Sequence, residues 1–479
     1  MSELTSRRRL LVLAICCMSL LIVSLDNTIL NVALPSIGRD LHATVSGLQW
    51  TIDAYTLVVA SLLILMGSIA DRIGRRKVFM AGLVLFTLGS LLCSLAPSLE
   101  ALVAFRAIQA IGGSMLNPVA RSSISNTFTD PGERARAIGV WGGVVGISMA
   151  AGPLVGGLLV DSVGWRAIFW VNLPVGIAAL LLAWRFVPES RALRSRRPDP
   201  VGQLLIIVLL GSLTYAIIET SLAAGVLSAL ALAGFLIYEP RRAEPLIDLR
   251  FFRSAPFSGA TVVAVCAFAA MSGFLFINTL YLQSVRGYSA LHAGLYMLPM
   301  AVLTFVFSPL SGRVVSSRGP RLPLMVAGVA MGSCGVLFAA FPAETSDPLL
   351  FTGYVLFGIG FGVVNTPITN TAVSGMPLSQ AGVAAAIAST SRQIGTTLGV
   401  AVIGAVLAAG ISAGVRSPAY GQEFLAASRA AWWVIAGCGL CILLVGTATT
   451  GTWARRTAQR CADRLVPPAP QETPSRAGT

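Results

Sequence analysis

Residues 10–34 read LLVLAICCMSLLIVSLDNTILNVAL, a run of apolar side chains broken by one formal charge, Asp26. A helix rises about 1.5 Å per residue and the hydrocarbon core of a bilayer is about 30 Å thick, so about 20 such residues suffice to cross it. Ser6-Arg7-Arg8-Arg9 precede the run, which at a glance resembles a secretory signal. However, it exceeds 20 residues and no small-residue cleavage site closes it, so it is expected to remain as the first membrane helix.

The rest of the chain follows this pattern. Roughly fourteen runs of this kind are read, near 10–34, 49–69, 78–97, 100–121, 135–160, 166–187, 201–221, 223–238, 257–282, 290–312, 322–341, 348–372, 383–411 and 428–449. Only 11% of the 479 residues are charged and 55% are hydrophobic, with a mean hydropathy of +0.79. An ordinary soluble domain carries about 25% charged residues, so this chain is expected to be solvated by lipid. The fold class follows: an all-α membrane protein.

The net charge of +14 raises the question of nucleic acid, and the placement of the bases answers it. With a cytoplasmic N-terminus the bases collect in alternate connections: 7–9, 72–77, Arg134 and Arg136, 191–197, 241–253, 313–321 and 455 onward. The opposite loops hold Arg39, Arg166, Arg286, Arg416 and Arg429. That asymmetry is the positive-inside rule. It predicts an inner-membrane protein with both termini cytoplasmic, a lipid partner and no nucleic acid. Seven of the eight cysteines fall inside apolar runs and Cys461 in the tail, so no disulfide framework is implied. Cys438-x-x-Cys441 has redox or metal spacing but lies mid-helix with no His nearby, and is read as small apolar filler. No metal and no cofactor are expected.

Two charged, proline-bounded stretches, 188–200 and 239–256, bracket a pair of short apolar spans. The expected organisation is a six-helix bundle over 1–187, linkers and a two-helix insert over 188–256, a second six-helix bundle over 257–450, and a disordered cytoplasmic tail over 451–479. A weak repeat supports two halves. The turn GSIADRIGRRK at 67–77 has a basic counterpart at 311–321, which lacks the acid. Repeated halves suit secondary transporters, whose substrates bind near the midplane between them.

Charges inside apolar runs are the candidate chemistry, because each costs about 2.5–3.5 kcal/mol at a helix centre on insertion scales. Asp26, Asp53 and Arg106 fall at similar depth in the outer half of the membrane and can face one cavity. A buried carboxylate holds its proton more tightly when desolvated and less tightly beside a cation, so the group can act as a proton carrier. The alternative is a structural ion pair that fixes helix register. Asp71, with Arg72, Gly74, Arg75 and Arg76, is a candidate gate in the 67–77 turn. Its expected partner in an outward-open state is the positive dipole end of the helix starting near 380–384. Gly152, Pro153, Gly156 and Gly157 form a small-residue surface with a kink, read as close packing or as a hinge between the halves. Gln109, Asn117, Asn278, Gln283 and Asn365 are candidate cavity amides. Glu219 is read as a solvated helix end.

Several segments together resemble a family. Leu25-Asp26-x-Thr28-Ile29-x-Asn31-Val32-Ala33-Leu34-Pro35 resembles the first-helix signature of drug:proton antiporters with fourteen spans, in the major facilitator superfamily. The 67–77 turn resembles that superfamily's loop motif. Arg106-x-x-Gln109 with Gly112 and Gly113 is similar to its fourth-helix motif, with Ala110 where glycine is usual. Gly152-Pro153-x-x-Gly156-Gly157 resembles the antiporter motif. Trp165-Arg166-x-Ile168-Phe169-x-x-Asn172-x-Pro174-x-Gly176, Tyr281-Leu282-Gln283, Ala293-Gly294 and Ser391-Arg392-Gln393-Ile394-Gly395 are also family-like. The resemblance implies a major facilitator fold and proton-driven export of hydrophobic or cationic drugs or antibiotics. It assigns proton coupling to Asp26 and Arg106 and gating to Asp71, leaving Asp53 with counterparts in some members only. A small-molecule substrate, protons and a monomeric state are implied with it. The competing reading on the same fold is a proton-coupled nutrient importer. A nucleotide-driven pump is disfavoured, since the chain has no G-x-x-x-x-G-K-[ST] loop.

Overall fold

The computed structural model describes residues 6–128, 130–191, 199–242, 244–341, 346–374, 376–377, 380–411 and 419–465. The bases at 192–197, Arg416 and the tail beyond 465 lie outside the described residues. Among the described residues, fourteen helices are long and apolar enough to cross a membrane. The first six are α1 (Ser6–Asp40), α2 (Val45–Ile73), α3 (Arg75–Ser94), α4 (Leu99–Thr127), α5 (Pro131–Ser162) and α6 (Ala167–Phe186). Two shorter ones follow, α7 (Pro200–Ile218) and α8 (Leu222–Tyr238). The last six are α9 (Ala255–Val285), α10 (Ala290–Arg318), α11 (Arg321–Ala340), α12 (Asp347–Val373), α13 (Ala381–Gly410) and α14 (Tyr420–Ala448). Among the described residues there is no strand. Lipid cannot satisfy a backbone polar group, so helices that bond internally are what such a sequence can form.

The helix starts are written locally. Thr44, Ser98, Asp199, Ser221 and Ser289 each accept a hydrogen bond from a first-turn N–H, closing the ends of α2, α4, α7, α8 and α10. Gly74, between α2 and α3, has φ +135°, a conformation that excludes most side chains. A reversal this tight sends α3 straight back along α2.

α1–α6 form one bundle and α9–α14 the other. They meet in a crossed pairing: α5 packs on α10, and α2 on α13. The second helix of each half therefore meets the fifth of the other, which gives the weak sequence repeat a structural meaning. The insert pair α7–α8 leans on α2 and α13, and Gln203 Nε2 donates to Ser61 O at 2.6 Å.

The connection α2–α3 and the 188–191 segment share the face on which α1 begins; we call it the basic face and its opposite the far face. The apolar core is continuous across both halves on the far side, from Ile29 and Ile37 of α1 to Phe274 and Leu280 of α9. On the basic side the N-terminal half keeps a separate core around Ile15, Phe79, Phe86 and Ile124. The halves are closed at the far face and part toward the basic face.

One expectation is corrected. Residues 452–465, expected to be disordered, form an amphipathic helix, α15 (Thr452–Leu465). Ala454, Ala458, Cys461 and Leu465 are buried, and the last two join a small core with Phe251 and Phe257. Thr457 Oγ1 accepts from Ala255 N at 3.0 Å. The buried positions recur at i, i+4, i+7 and i+11, a helical period that the bias toward Arg and Ala obscures.

Candidate functional site

Arg106 of α4 is fully buried and supplies the centre of the site. Its Nη1 lies 2.5 Å from Asp26 Oδ2 and 2.7 Å from Gln109 Oε1. Its Nε donates to Thr51 O at 3.3 Å, and the guanidinium lies 4.4 Å from the centroid of the Tyr55 ring. Asp26 Oδ1 is held from the other side by Gln109 Nε2 at 2.9 Å and Asn172 Nδ2 at 2.8 Å. Asn172 in turn donates to Ser90 Oγ at 3.0 Å, and Ser90 to Phe169 O at 2.9 Å. Five helices, α1, α2, α3, α4 and α6, thus converge on one carboxylate inside the N-terminal half.

Such a pair is stable only because its lone pairs and protons are met. Removing two charges from water costs several kcal/mol per ion, and only good geometry with further hydrogen bonds offsets it. Arg106 and Gln109, at i and i+3, lie on one face of α4 and grip the carboxylate together. Arg106 Nη2 has no partner. Sequence reading identified Asp26, Arg106 and Gln109; it passed over Asn172, Ser90 and Tyr55. Asn172 was visible as a lone amide early in an apolar run, in the stretch quoted above.

Asp53 does not join this cluster, contrary to the expectation that all three charges share a cavity. It is fully buried, and one oxygen accepts from Thr56 Oγ1 at 3.3 Å while the other has no partner. Gln49, Asp53 and Thr56 fall at i, i+4 and i+7 on the stripe of α2 that meets α13. Gln49 Nε2 donates to Ala401 O at 2.8 Å, and Thr397 Oγ1 to Thr56 Oγ1 at 2.9 Å. Depth along a helix was legible in the sequence, but azimuth was not.

The far-face closure is polar as well as apolar. Asp161, at the end of α5, accepts from Ala290 N at 3.1 Å and Leu291 N at 2.9 Å, the first turn of α10. Gln283 Nε2 donates to Val32 O at 2.8 Å across the same seam. Gly157 lets α5 approach there: an added Cβ would lie 2.5 Å from Leu291 Cα, and one at Gly152 only 2.0 Å from Thr28 Oγ1. Gly156 meets Ile29, and Pro153 O sits where a Cβ on Gly294 would go. Nearer the basic face, Gly139, Gly142 and Gly143 meet nothing within 4 Å. A small cavity lies between the halves, lined by Thr28, Asn31, Pro153, Leu275 and Met297 among others.

The remaining amides scatter. Asn278 is buried in the C-terminal half, accepting from Tyr354 Oη at 3.0 Å, and lines a small pocket with Phe338 and Trp432. Gln283 sits in the far seam rather than in that opening. Asn117 has a buried, unpartnered Oδ1, and Asn365 O accepts from Arg392 Nη2 at 3.4 Å. Glu219 is exposed and accepts from Trp50 Nε1 at 2.8 Å.

In the 67–77 turn, Asp71 pairs with Arg75, one turn on, at 2.7 Å. The expected partner at 380–384 is not among its contacts in this state, which is open on the basic side. The turn is tied instead to the end of α6. Glu189 Oε1 accepts from Arg76 N at 3.1 Å, Arg75 N donates to Ser190 O at 2.9 Å, and the Arg76 guanidinium donates to Trp184 O. Glu189 was read as part of a linker, with no partner in the 67–77 turn.

Comparison with known proteins now bears on this geometry. A family model described as Major Facilitator Superfamily matches residues 16–400. The chain is 40% identical over 417 residues to the multidrug resistance protein Stp of Mycobacterium tuberculosis, covering 85% of this chain and 78% of that one. It is 37% identical over 398 residues to the tetracenomycin C resistance and export protein of Streptomyces glaucescens, covering 81% and 74%. Among solved structures, it resembles a bacterial homologue of the human lysosomal transporter Spinster in an inward-facing and occupied conformation. The TM-score is 0.72 at 18% identity, with 94% of this chain and 99% of that one covered. That likeness is one of fold.

Proposed function

The chain belongs to the Major Facilitator Superfamily, and from that premise we propose that it exports drugs or antibiotics across a bacterial plasma membrane in exchange for protons. Both termini lie in the cytoplasm in this reading, because the basic face carries the lysine and arginine excess. The state described above is then closed to the outside and open to the cytoplasm, the state in which an exporter loads. Relatives named for drug resistance and export support this direction over the importer reading.

The observation that carries the coupling is the carboxylate of Asp26 held by Arg106, Gln109 and Asn172 inside the N-terminal bundle. Protonating Asp26 removes the charge that Arg106 neutralises and turns one acceptor oxygen into a donor. The cluster then has to rearrange, and α1, α4 and α6 are the elements it holds together. Alternating access follows if the far seam closes once Asp26 takes up a proton from outside and reopens, with cargo bound, only after Asp26 has released that proton to the cytoplasm. Energy comes from the proton gradient, with no cofactor involved.

The test is accumulation of fluorescent compounds in inverted vesicles with an acid lumen, using a cationic, a neutral and a carboxylate-bearing dye. At least one should accumulate, and a protonophore should collapse its gradient. Accumulation that survives the protonophore, or no gradient-dependent accumulation of any dye, overturns the reading.

A further inference from the structure

Two arginines stand apart from the cluster and from every ion pair seen among the described residues. Arg121 lies in the last two turns of α4, in the N-terminal half; Arg392 lies about three turns into α13, in the C-terminal half. By helix rise they sit about 9 Å and about 16 Å from the basic ends of their helices, between the opening and the depth of Asp26. Each keeps part of its surface open. Arg121 lies near enough for its charge to act on Arg392, and the two helices belong to different halves, which part on this side.

Their local partners are neutral. Arg392 Nη2 donates to Asn365 O at 3.4 Å and to Thr369 Oγ1, and its guanidinium lies 5.9 Å from the centroid of the Phe268 ring. Its Nε, although buried, has no partner. One turn before Arg121, the buried Oδ1 of Asn117 also lacks one. Two like charges facing one opening inside a membrane bundle, with no acid beside them, are costly and call for a counter-charge.

We propose that Arg121 and Arg392 form an anion site for the exported molecule, which carries a carboxylate or a similar acidic group, with Asn117 Oδ1 accepting from a donor elsewhere on it. This rests on the exporter reading and narrows its cargo, away from the cationic compounds that the family resemblance suggests. A guanidinium on each half offers planar, multi-donor recognition of an oxyanion. It also gives the site a mechanical role. Without an anion the two charges repel and keep the basic ends apart; an anion between them neutralises the repulsion and lets α4 and α13 approach, the first movement toward closure over the cargo.

The experiment measures binding of 7-diethylaminocoumarin-3-carboxylic acid, through its carboxylate, against its neutral ethyl ester, by anisotropy on the full chain in detergent. The acid should bind about tenfold more tightly than the ester, as expected for a desolvated charge-assisted pair. Arg392→Gln and Arg121→Gln should each remove that preference, while ester binding changes little. Arg392→Lys and Arg121→Lys should retain part of it. Because the two arginines come from different halves, failure of one variant to fold leaves the other as the test. Equal binding of acid and ester, absence of binding by both, or acid binding unchanged in either Gln variant overturns the proposal. Failure of the exporter reading is separate: the acid would bind while no dye accumulates in vesicles. Conversely, gradient-driven accumulation of the cationic dye with no acid preference leaves export standing and removes the anion site.

Discussion

Arg106 carries five donors into a fully buried place, so its worth depends on where each donor ends. Nη1 meets Asp26 and Gln109, and Nε meets a backbone carbonyl. Truncating it, as in Arg106→Ala, leaves the carboxylate buried and uncompensated, at a cost of about 3–5 kcal/mol. In protein that still folds, gradient-driven efflux should fall at least about tenfold, read as dye accumulation in inverted vesicles. Arg106→Lys should rescue only partly, because a compact ammonium does not reproduce the planar fork. Asp26→Asn should abolish gradient-driven accumulation yet leave passive exchange of dye measurable in the same vesicles. If Asp26→Asn with Arg106→Gln together restored driven efflux, the pair would be structural and coupling would pass to Asp53. Both charges were legible because a lone charge in an apolar run is conspicuous. The separation of Asp53 was not, because the face a residue presents depends on which helices surround it.

At the level of elements, the far seam is held where the end of one helix meets the start of another. Asp161 accepts from two first-turn N–H groups of α10, a cap supplied by the opposite half. Caps and dipole contacts of this kind contribute about 1 kcal/mol. Asp161→Ala should therefore shift the equilibrium toward the far-open state by about fivefold. Spin labels at 42 and 287, in far-face loops of the two halves, should show a larger share of long separations in that variant. An unchanged distribution would assign closure to the apolar core and to Gln49 and Gln283. In α15 the signal lay in the sequence, since Ala454, Ala458, Cys461 and Leu465 keep helical spacing. Small side chains among many arginines mask such a stripe until the core formed by Phe251 and Phe257 shows what it covers.

For the whole molecule, the arrangement of six, two and six helices implies a testable topology. Reporter fusions after Arg197 and after Arg253 should both report cytoplasm, and a fusion near Ala223 should report the outside. A cytoplasmic signal near Ala223 would remove α7 and α8 from the membrane and leave twelve spans. The insert's packing on α2 and α13 places it beside one of the two crossed contacts between halves. Its outer surface, including Leu222 and Leu230, is exposed as lipid-facing side chains are.

Read alone, the sequence determined the solvent of this protein, the number of its spans, the division into halves and the two charges at its centre. These follow from local quantities: run length, hydropathy and the side on which basic residues fall. The tertiary structure decided which polar groups meet. It gave Asp26 the amide of Asn172, turned Asp53 toward α13, set Asp161 against α10 and placed Arg121 and Arg392 across one opening. Each of these depends on helix rotation and on the crossed packing of the halves. That packing is set by the summed fit of many small and apolar contacts, and no short stretch of sequence carries it.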